Sequence, residues 1–384
     1  MATTLRKRRT LADIPVPEEL KKALSAIRKE YGEKSIISGN EMRQPWRIPT
    51  GVFSFDLATM GGIPHSRISM VHGPKHSGKS YMSDRIIMGA QQTLPDQKAV
   101  KVDVEGTHDN VWSSKTGVDN DALLLVQPDS GEQAIDITVA MVHVAEVSLV
   151  VVDSLAALVP MKEQAASAED SLVAMQSRLI TSMLRKVSSA QIMERKRGHH
   201  VTVLLVNQQR SKIGGWAPPG QEAIGLPGGK ALGHFTTLEW RMKNKENMRN
   251  AEGGAKELDF NDHAFTIEKN KLNAGYRTGE FRMLRRDDDA LGLTEAEIDD
   301  APIMLSYAKI AGWYTGSGKG GYTLQLDGYE PVRVANADEM VRTLYGDREL
   351  MWALRCQLIA AHSKKLGMPD WYVNYILTGA TDES

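Results

Sequence analysis

The chain has 384 residues, with 47 lysines and arginines against 48 aspartates and glutamates and a formal net charge of −1. Hydrophobic residues make up 41% and charged residues 25%, an ordinary globular balance that excludes a disordered chain, a collagen-like repeat and a coiled coil. The near-neutral total excludes nucleic-acid binding through bulk positive charge, but not a local basic groove. The single cysteine, Cys356, excludes an intrachain disulfide and fits a reducing cytoplasm.

Arg6, Lys7, Arg8 and Arg9 are not followed by an apolar run, so no signal peptide is expected. From Pro17 to Tyr31, Leu20, Leu24, Ile27 and Tyr31 recur at helical spacing among Lys21, Lys22, Arg28 and Lys29, and Gly32 ends the amphipathic helix. A linker leads to Arg47, where strands and helices begin to alternate. Strands are expected at Ile68–His72, Val100–Val104, Leu123–Val126, Leu149–Val152 and Val201–Val206, and helices at Lys79–Leu94, Glu132–His143 and Ala174–Glu194. Such alternation predicts a mostly parallel sheet covered on both faces. The most apolar region, Thr138 to Met161, contains His143, Glu146 and Asp153, so it reads as a helix and a buried strand rather than a membrane span. No membrane partner is expected.

Residues 211–229 are rich in glycine and proline, the composition of a long functional or disordered loop. Residues 287–300 hold seven acids and no base, and read as the approach to a C-terminal domain that carries a helix around Met351–Ile359.

Gly73, Pro74, Lys75, His76, Ser77, Gly78, Lys79 and Ser80 match GxxxxGK[ST] between a strand and a helix. Glycines let backbone N–H groups turn toward phosphate oxygens, Lys79 supplies charge to the β- and γ-phosphates, and the Ser80 hydroxyl suits Mg²⁺. A nucleoside triphosphate with Mg²⁺ is therefore the expected ligand. Asp153, after four apolar residues, is the candidate second metal-side carboxylate, a weak signal alone. Glu105 either orients water in line with the γ-phosphate or is a solvated turn carboxylate, and the residues alone leave both readings open. His108, His199 and His200 lack a second ligand set and read as surface residues. The cluster Arg195-Lys196-Arg197 and the run Arg241, Lys243, Lys245, Arg249 read as solvated faces more readily than as duplex-facing surfaces.

The ordered set of motifs resembles the RecA recombinase family. It comprises the phosphate loop, Glu105 with Asp109, Gly117-Val118-Asp119, Gln127 to Ala134, Val151 to Leu158, Val206-Asn207-Gln208 with Arg210, Gly228 to Leu232, and Lys269-Asn270-Lys271. The resemblance runs from the helix before Tyr31 to about Leu284, and more faintly beyond. It implies an α/β fold: a P-loop ATPase core at 47–286 with a mostly parallel sheet, an N-terminal helical polymerisation segment at 1–46, and a small α+β C-terminal domain at 287–384. It implies that the nucleotide is ATP, that Glu105 activates water, that Asp109 and Trp112 contact adenine, and that Gln208 senses nucleotide. It also implies that Lys269 and Lys271 reach a neighbouring subunit's nucleotide.

Two loops, about 161–173 and 210–229, would hold single-stranded DNA, with Arg178 and Arg210 as phosphate contacts and Lys212, Ile213, Gly214, Gly228 and Gly229 in the second loop. The activity implied is that of a DNA-dependent ATPase that forms a helical homo-oligomeric filament on single-stranded DNA and pairs it with duplex DNA. A ring helicase on the same core and a non-catalytic DNA-binding filament protein are the alternatives. No helicase-type N-domain is found, and intact Lys79, Asp153 and Glu105 argue against loss of turnover. Gly233 and His234 depart from the family, where a lysine and an aromatic are common.

Overall fold

The computed structural model describes residues 17–36, 45–161, 173–211, 224–245, 260–273, 277–317, 320–368 and 370–378. It divides into one compact unit ending at Gln44 and another running from Pro45. In the first, α1 (Glu18–Tyr31) begins after Pro17 and stops at Gly32, whose φ of 91° favours glycine. Glu18 and Glu19 in its first turn and Arg28 and Lys29 in its last complement the helix dipole. None of its residues is buried, and Leu20, Ile27 and Tyr31 stand exposed.

The second unit opens with β1 (Arg47–Ile48), α2 (Phe53–Thr59) and β2 (Ile63–Pro64). β3 (Ile68–Gly73) then leads through the phosphate loop into α3 (Lys79–Thr93). The alternation continues with β4 (Lys98–Asp103), α4 (Asn110–Lys115), β5 (Leu123–Val126), α5 (Gly131–Val142), β6 (Val147–Asp153), α6 (Val173–Arg197) and β7 (Thr202–Gln208). After β8 (Arg210–Ser211), β9 (Ile224–Gly225) and α7 (Lys230–Phe235) come three long strands, β10 (Leu238–Lys245), β11 (Phe260–Asn270) and β12 (Thr278–Leu284).

The described strands form an eight-stranded sheet in the order β12-β11-β10-β3-β7-β6-β4-β5. β10, β3, β7, β6, β4 and β5 pair in parallel, and β11 and β12 extend the β10 edge antiparallel. The apolar run of β6 is buried throughout because neighbours along it face opposite layers. Leu149 and Val151 pack with Met82, Ile86 and Ile87 of α3. Val150 and Val152 pack with Ile135 of α5 and Ile180, Met183 and Leu184 of α6. The same alternation accounts for the charge run on β10: Trp240 and Met242 are fully buried, while Arg241 between them is part-buried and pairs with Glu268 at 3.1 Å, and Lys243 after them is exposed. Arg249 lies outside the described residues.

The C-terminal part carries α8 (Ala301–Ala311), the antiparallel β13 (Tyr314–Ser317), β14 (Gly321–Leu324) and β15 (Val332–Val334), then α9 (Ala337–Gly346), α10 (Arg348–Lys365) and α11 (Asp370–Thr378). Its core includes Phe53 and Leu57 of α2, whose Phe55 and Ala58 join the α3-side core, so α2 packs into both. The acid-rich approach is structured. Asp287 accepts from Glu295 N at 2.8 Å, Asp299 accepts from the Tyr345 hydroxyl at 2.5 Å, and buried Asp300 accepts from Phe53 N at 2.7 Å. No helix among the described residues is long and apolar enough to cross a membrane.

Candidate nucleotide site and nucleic-acid loops

The phosphate loop joins β3 to α3 at the carboxyl edge of the parallel strands, where open α/β sheets place their ligands. His76 and Gly78 both take positive φ, 58° and 85°, which turns the loop's amides. A Cβ at Gly73 would lie 2.5 Å from the Met242 carbonyl oxygen, so only glycine fits there. Ser77 Oγ and Lys79 Nζ both donate to the Pro74 carbonyl, at 2.9 and 2.6 Å, bracing the loop from within. Burial lowers the pKa of Lys79, and Asp153 and Glu105 oppose that shift. Ser80 is exposed at the first turn of α3.

Asp153 ends β6, level with Asp103 at the end of β4. Burial pushes its carboxyl up to about 6, with Glu105, Asp84 and Asp103 adding to the rise and Lys101 opposing it. The Asp153–Ser154 peptide is cis. Glu105, two residues past β4, accepts from Ser154 Oγ at 2.6 Å and from Gln208 Nε2 at 2.7 Å. The ends of three adjacent strands, β4, β6 and β7, thus converge on one carboxylate beside the phosphate loop. A hydroxyl at a helix N-terminus, a buried aspartate, an ammonium and an exposed glutamate form a donor set that fits a magnesium–triphosphate.

An acid raised above its ordinary value destabilises the fold once ionised, so the contribution of Asp153 is lost as pH rises between about 4 and about 6. Asp153→Asn should therefore leave metal-free stability unchanged near pH 4 and raise it by about 1–3 kcal/mol above pH 6. Nucleotide binding that depends on magnesium should be lost in the same variant. Chemical unfolding at both pH values, with parallel nucleotide titration, checks both expectations.

Asp109 caps α4, its Oδ1 accepting from Val111 N at 2.9 Å and Trp112 N at 3.1 Å. Trp112 is half-buried against the α3-side core. Lys269 and Lys271 reach the end of α7 together: Lys269 Nζ donates to the Gly233 carbonyl and Lys271 Nζ to the His234 carbonyl at 2.8 Å. Burial and neighbouring Lys269 lower the pKa of Lys271.

The first loop enters at Met161, whose N–H donates to Glu132 Oε2 at 2.9 Å, and residues 162–172 lie outside those described. The second loop is closed at its base by β8 and β9, paired antiparallel directly after Gln208. Lys212, Ile213 and Gly214 lie outside the described residues. Gly228 is buried and Gly229 exposed just before α7, and Arg178 is exposed on α6. Arg210 is exposed but donates to the Ala156 carbonyl at 2.7 Å, linking the second loop's base to the segment after Asp153.

Ser154, Asp103, Asp84, Lys101 and His263 also stand in or beside the site, without a motif that marks them for it. Asp103 accepts from His108 N at 3.0 Å and from Gln127 Nε2 at 3.3 Å. His263 packs under Gly78, where a Cβ would meet its ring at 2.9 Å. Burial lowers its pKa, opposed by the Ser77 backbone. A lysine between Val100 and Val102 in a buried strand was the one legible signal among these. His199 is not simply a surface residue either: its ring bonds the Val147 carbonyl at 3.0 Å and faces Glu194 at 3.6 Å.

The family model described as the RecA N-terminal domain matches residues 18–287. The Protein RecA of Mycobacterium ulcerans is 33% identical over 282 residues, 71% of this chain and 76% of its own length. That of Mycobacteroides abscessus is 32% identical over 319 residues, 80% of this chain and 86% of its own length. That of Amycolatopsis mediterranei is 34% identical over 308 residues, 78% of this chain and 82% of its own length.

Proposed function

This chain belongs to the RecA family, and from that premise we propose that it is a DNA-dependent ATPase that polymerises on single-stranded DNA and pairs it with homologous duplex. The observation that carries this reading is the 2.7 Å bond from Gln208 to Glu105, with the base of the second loop beginning two residues later. One carboxylate is thereby tied to both the phosphate loop's surroundings and the proposed DNA-binding segment.

The phosphate loop and Lys79 bind the triphosphate. Ser80 and, through water, Asp153 would hold a magnesium ion, which spreads the charge on the phosphate oxygens. Glu105 takes the proton of the attacking water, with Ser154 and Gln208 fixing its orientation. Gln208 can turn its amide from Glu105 to a γ-phosphate oxygen, and that turn shifts the base of the second loop. Asp109 and Trp112 border the adenine. Arg178, Arg210 and the glycines Gly228 and Gly229 contribute the DNA surface, together with Lys212, Ile213 and Gly214.

The apolar face of α1 docks on a second copy, a head-to-tail contact that builds a helical filament. Lys269 and Lys271 then serve the neighbour's nucleotide, leaving the α7 carbonyls they hold in the single chain. Residues 287–384 act as a C-terminal domain on this core. The experiment that tests the reading is magnesium-dependent phosphate release with and without single-stranded DNA, where acceleration by DNA is expected.

A further inference from the structure

β4 carries a buried cation within an apolar stretch, with Ala99 and Val100 before it and Val102 after it. Lys101 is 4% exposed and lies between Val100 and Val102, which pack into the opposite layer. Its side chain therefore enters the α3 side of the sheet, the side that carries the phosphate-loop helix. There its Nζ is 3.4 Å from Asp84 Oδ1, 3.5 Å from His108 Nδ1 and 3.9 Å from Asp153 Oδ2. His108 Nε2 is bonded to Asn120 Oδ1 at 3.2 Å. That bond places the ring proton on Nε2 and leaves the Nδ1 lone pair to face the ammonium.

Asp84 is four residues after Ser80 on α3, so the two side chains share one helix face one turn apart. Lys101 thus lies between two buried acids, one beneath the metal-side hydroxyl and the other the metal-side carboxylate itself. It is drawn to Asp84 and His108 and stops short of hydrogen-bond distance from Asp153.

We propose that Asp84 is a positioning residue that holds the Lys101 ammonium back from Asp153 and so keeps that carboxylate open to the magnesium accompanying a nucleoside triphosphate. The proposal rests on the nucleotide-site reading above. Without Asp84, Asp153 is the nearest acid left to a cation that cannot reach water. The ammonium closes on Asp153 and competes with magnesium for it. An imidazole is never an anion, so His108 cannot substitute for the lost carboxylate. A pair that merely balances buried charge makes a different forecast, because its removal changes stability and leaves the metal requirement alone.

The test uses the full chain and a non-hydrolysable fluorescent ATP analogue. Binding is titrated with magnesium, and thermal unfolding is followed with and without the magnesium–nucleotide. Asp84→Asn is expected to raise the magnesium half-saturation roughly tenfold or more. Asp84→Asn with Lys101→Met should return it to within about threefold of wild type, since the competing cation is gone. A folded Asp84→Asn protein with the wild-type magnesium curve overturns the proposal, and so does a double variant as impaired as the single one. If Asp84→Asn does not fold, Asp84→Ser decides: a half-saturation raised about tenfold or more supports the proposal, and an unchanged one overturns it. A wild-type chain that binds no nucleotide overturns the underlying reading and the proposal with it. Wild-type binding with unmoved variant curves overturns the proposal alone.

Discussion

Glu105→Gln should slow DNA-stimulated phosphate release by about 100- to 10,000-fold while leaving nucleotide affinity within a few-fold of wild type. The two terms separate because glutamine keeps the shape of the side chain and one carbonyl oxygen. That oxygen can still accept from Ser154 Oγ and Gln208 Nε2, which now bond Glu105 at 2.6 and 2.7 Å. What is lost is the capacity to take a proton from water. The phosphate loop and Lys79 are untouched, so binding persists. Single-turnover hydrolysis measured beside equilibrium binding of the same nucleotide checks both halves. Hydrolysis at the wild-type rate would remove Glu105 from the proton-acceptor role and return it to a turn carboxylate.

The second large effect lies away from the chemistry. Arg355 of α10 is buried with Asp56 of α2 and Asp300 before α8, pairing closely with Asp56 and lying 3.6 Å from Asp300 Oδ2. Asp56 in turn accepts from Thr50 N and Oγ1, at 3.0 and 2.7 Å, and so fixes the start of α2. Burial pushes Asp300 up to about 6, with Arg355 and the Phe53 amide opposing the rise. Arg355→Ala removes the only basic side chain that pairs with either acid among the described residues. It should cost about 3–5 kcal/mol of stability, because an unpaired buried carboxylate is far more expensive than the pair is beneficial. Urea unfolding of the two proteins measures the loss, and a cost within 1 kcal/mol would show that solvent or a rearranged neighbour satisfies both acids.

Regularly patterned elements were legible in the sequence to within a few residues. The helix expected at Lys79–Leu94 ends at Thr93, the strand expected at Leu123–Val126 has those bounds, and the helix expected at Ala174–Glu194 spans Val173–Arg197. Each has either helical spacing or an uninterrupted apolar run, which are local signals. α2 was not legible: all seven of its residues are buried, so it has no polar face to set a period. The antiparallel extension through β11 and β12 was equally hidden, because pairing partners far apart in sequence leave no local mark.

The candidate site divides in the same way. The phosphate loop announces itself through spacing and strand context, and Asp153 gives a weaker signal as the acid that ends an apolar strand. Glu105 carries no such mark, because the bonds that hold its carboxylate come from Ser154 and Gln208, 49 and 103 residues away. Lys101 and Asp84 are ordinary charges until α3 packs on β4, and the Asp56–Arg355 pair joins positions 299 residues apart. Buried polar contacts between distant segments are tertiary facts, which no window along the chain contains.

In the proposed function, DNA and nucleotide act on each other through this chain. The decisive measurement is steady-state phosphate release at saturating ATP and magnesium, titrated with single-stranded DNA. The account predicts a rate that climbs by roughly tenfold or more and saturates once the added strand has taken up the protein. A rate that stays flat across the titration, with nucleotide demonstrably bound, would contradict it.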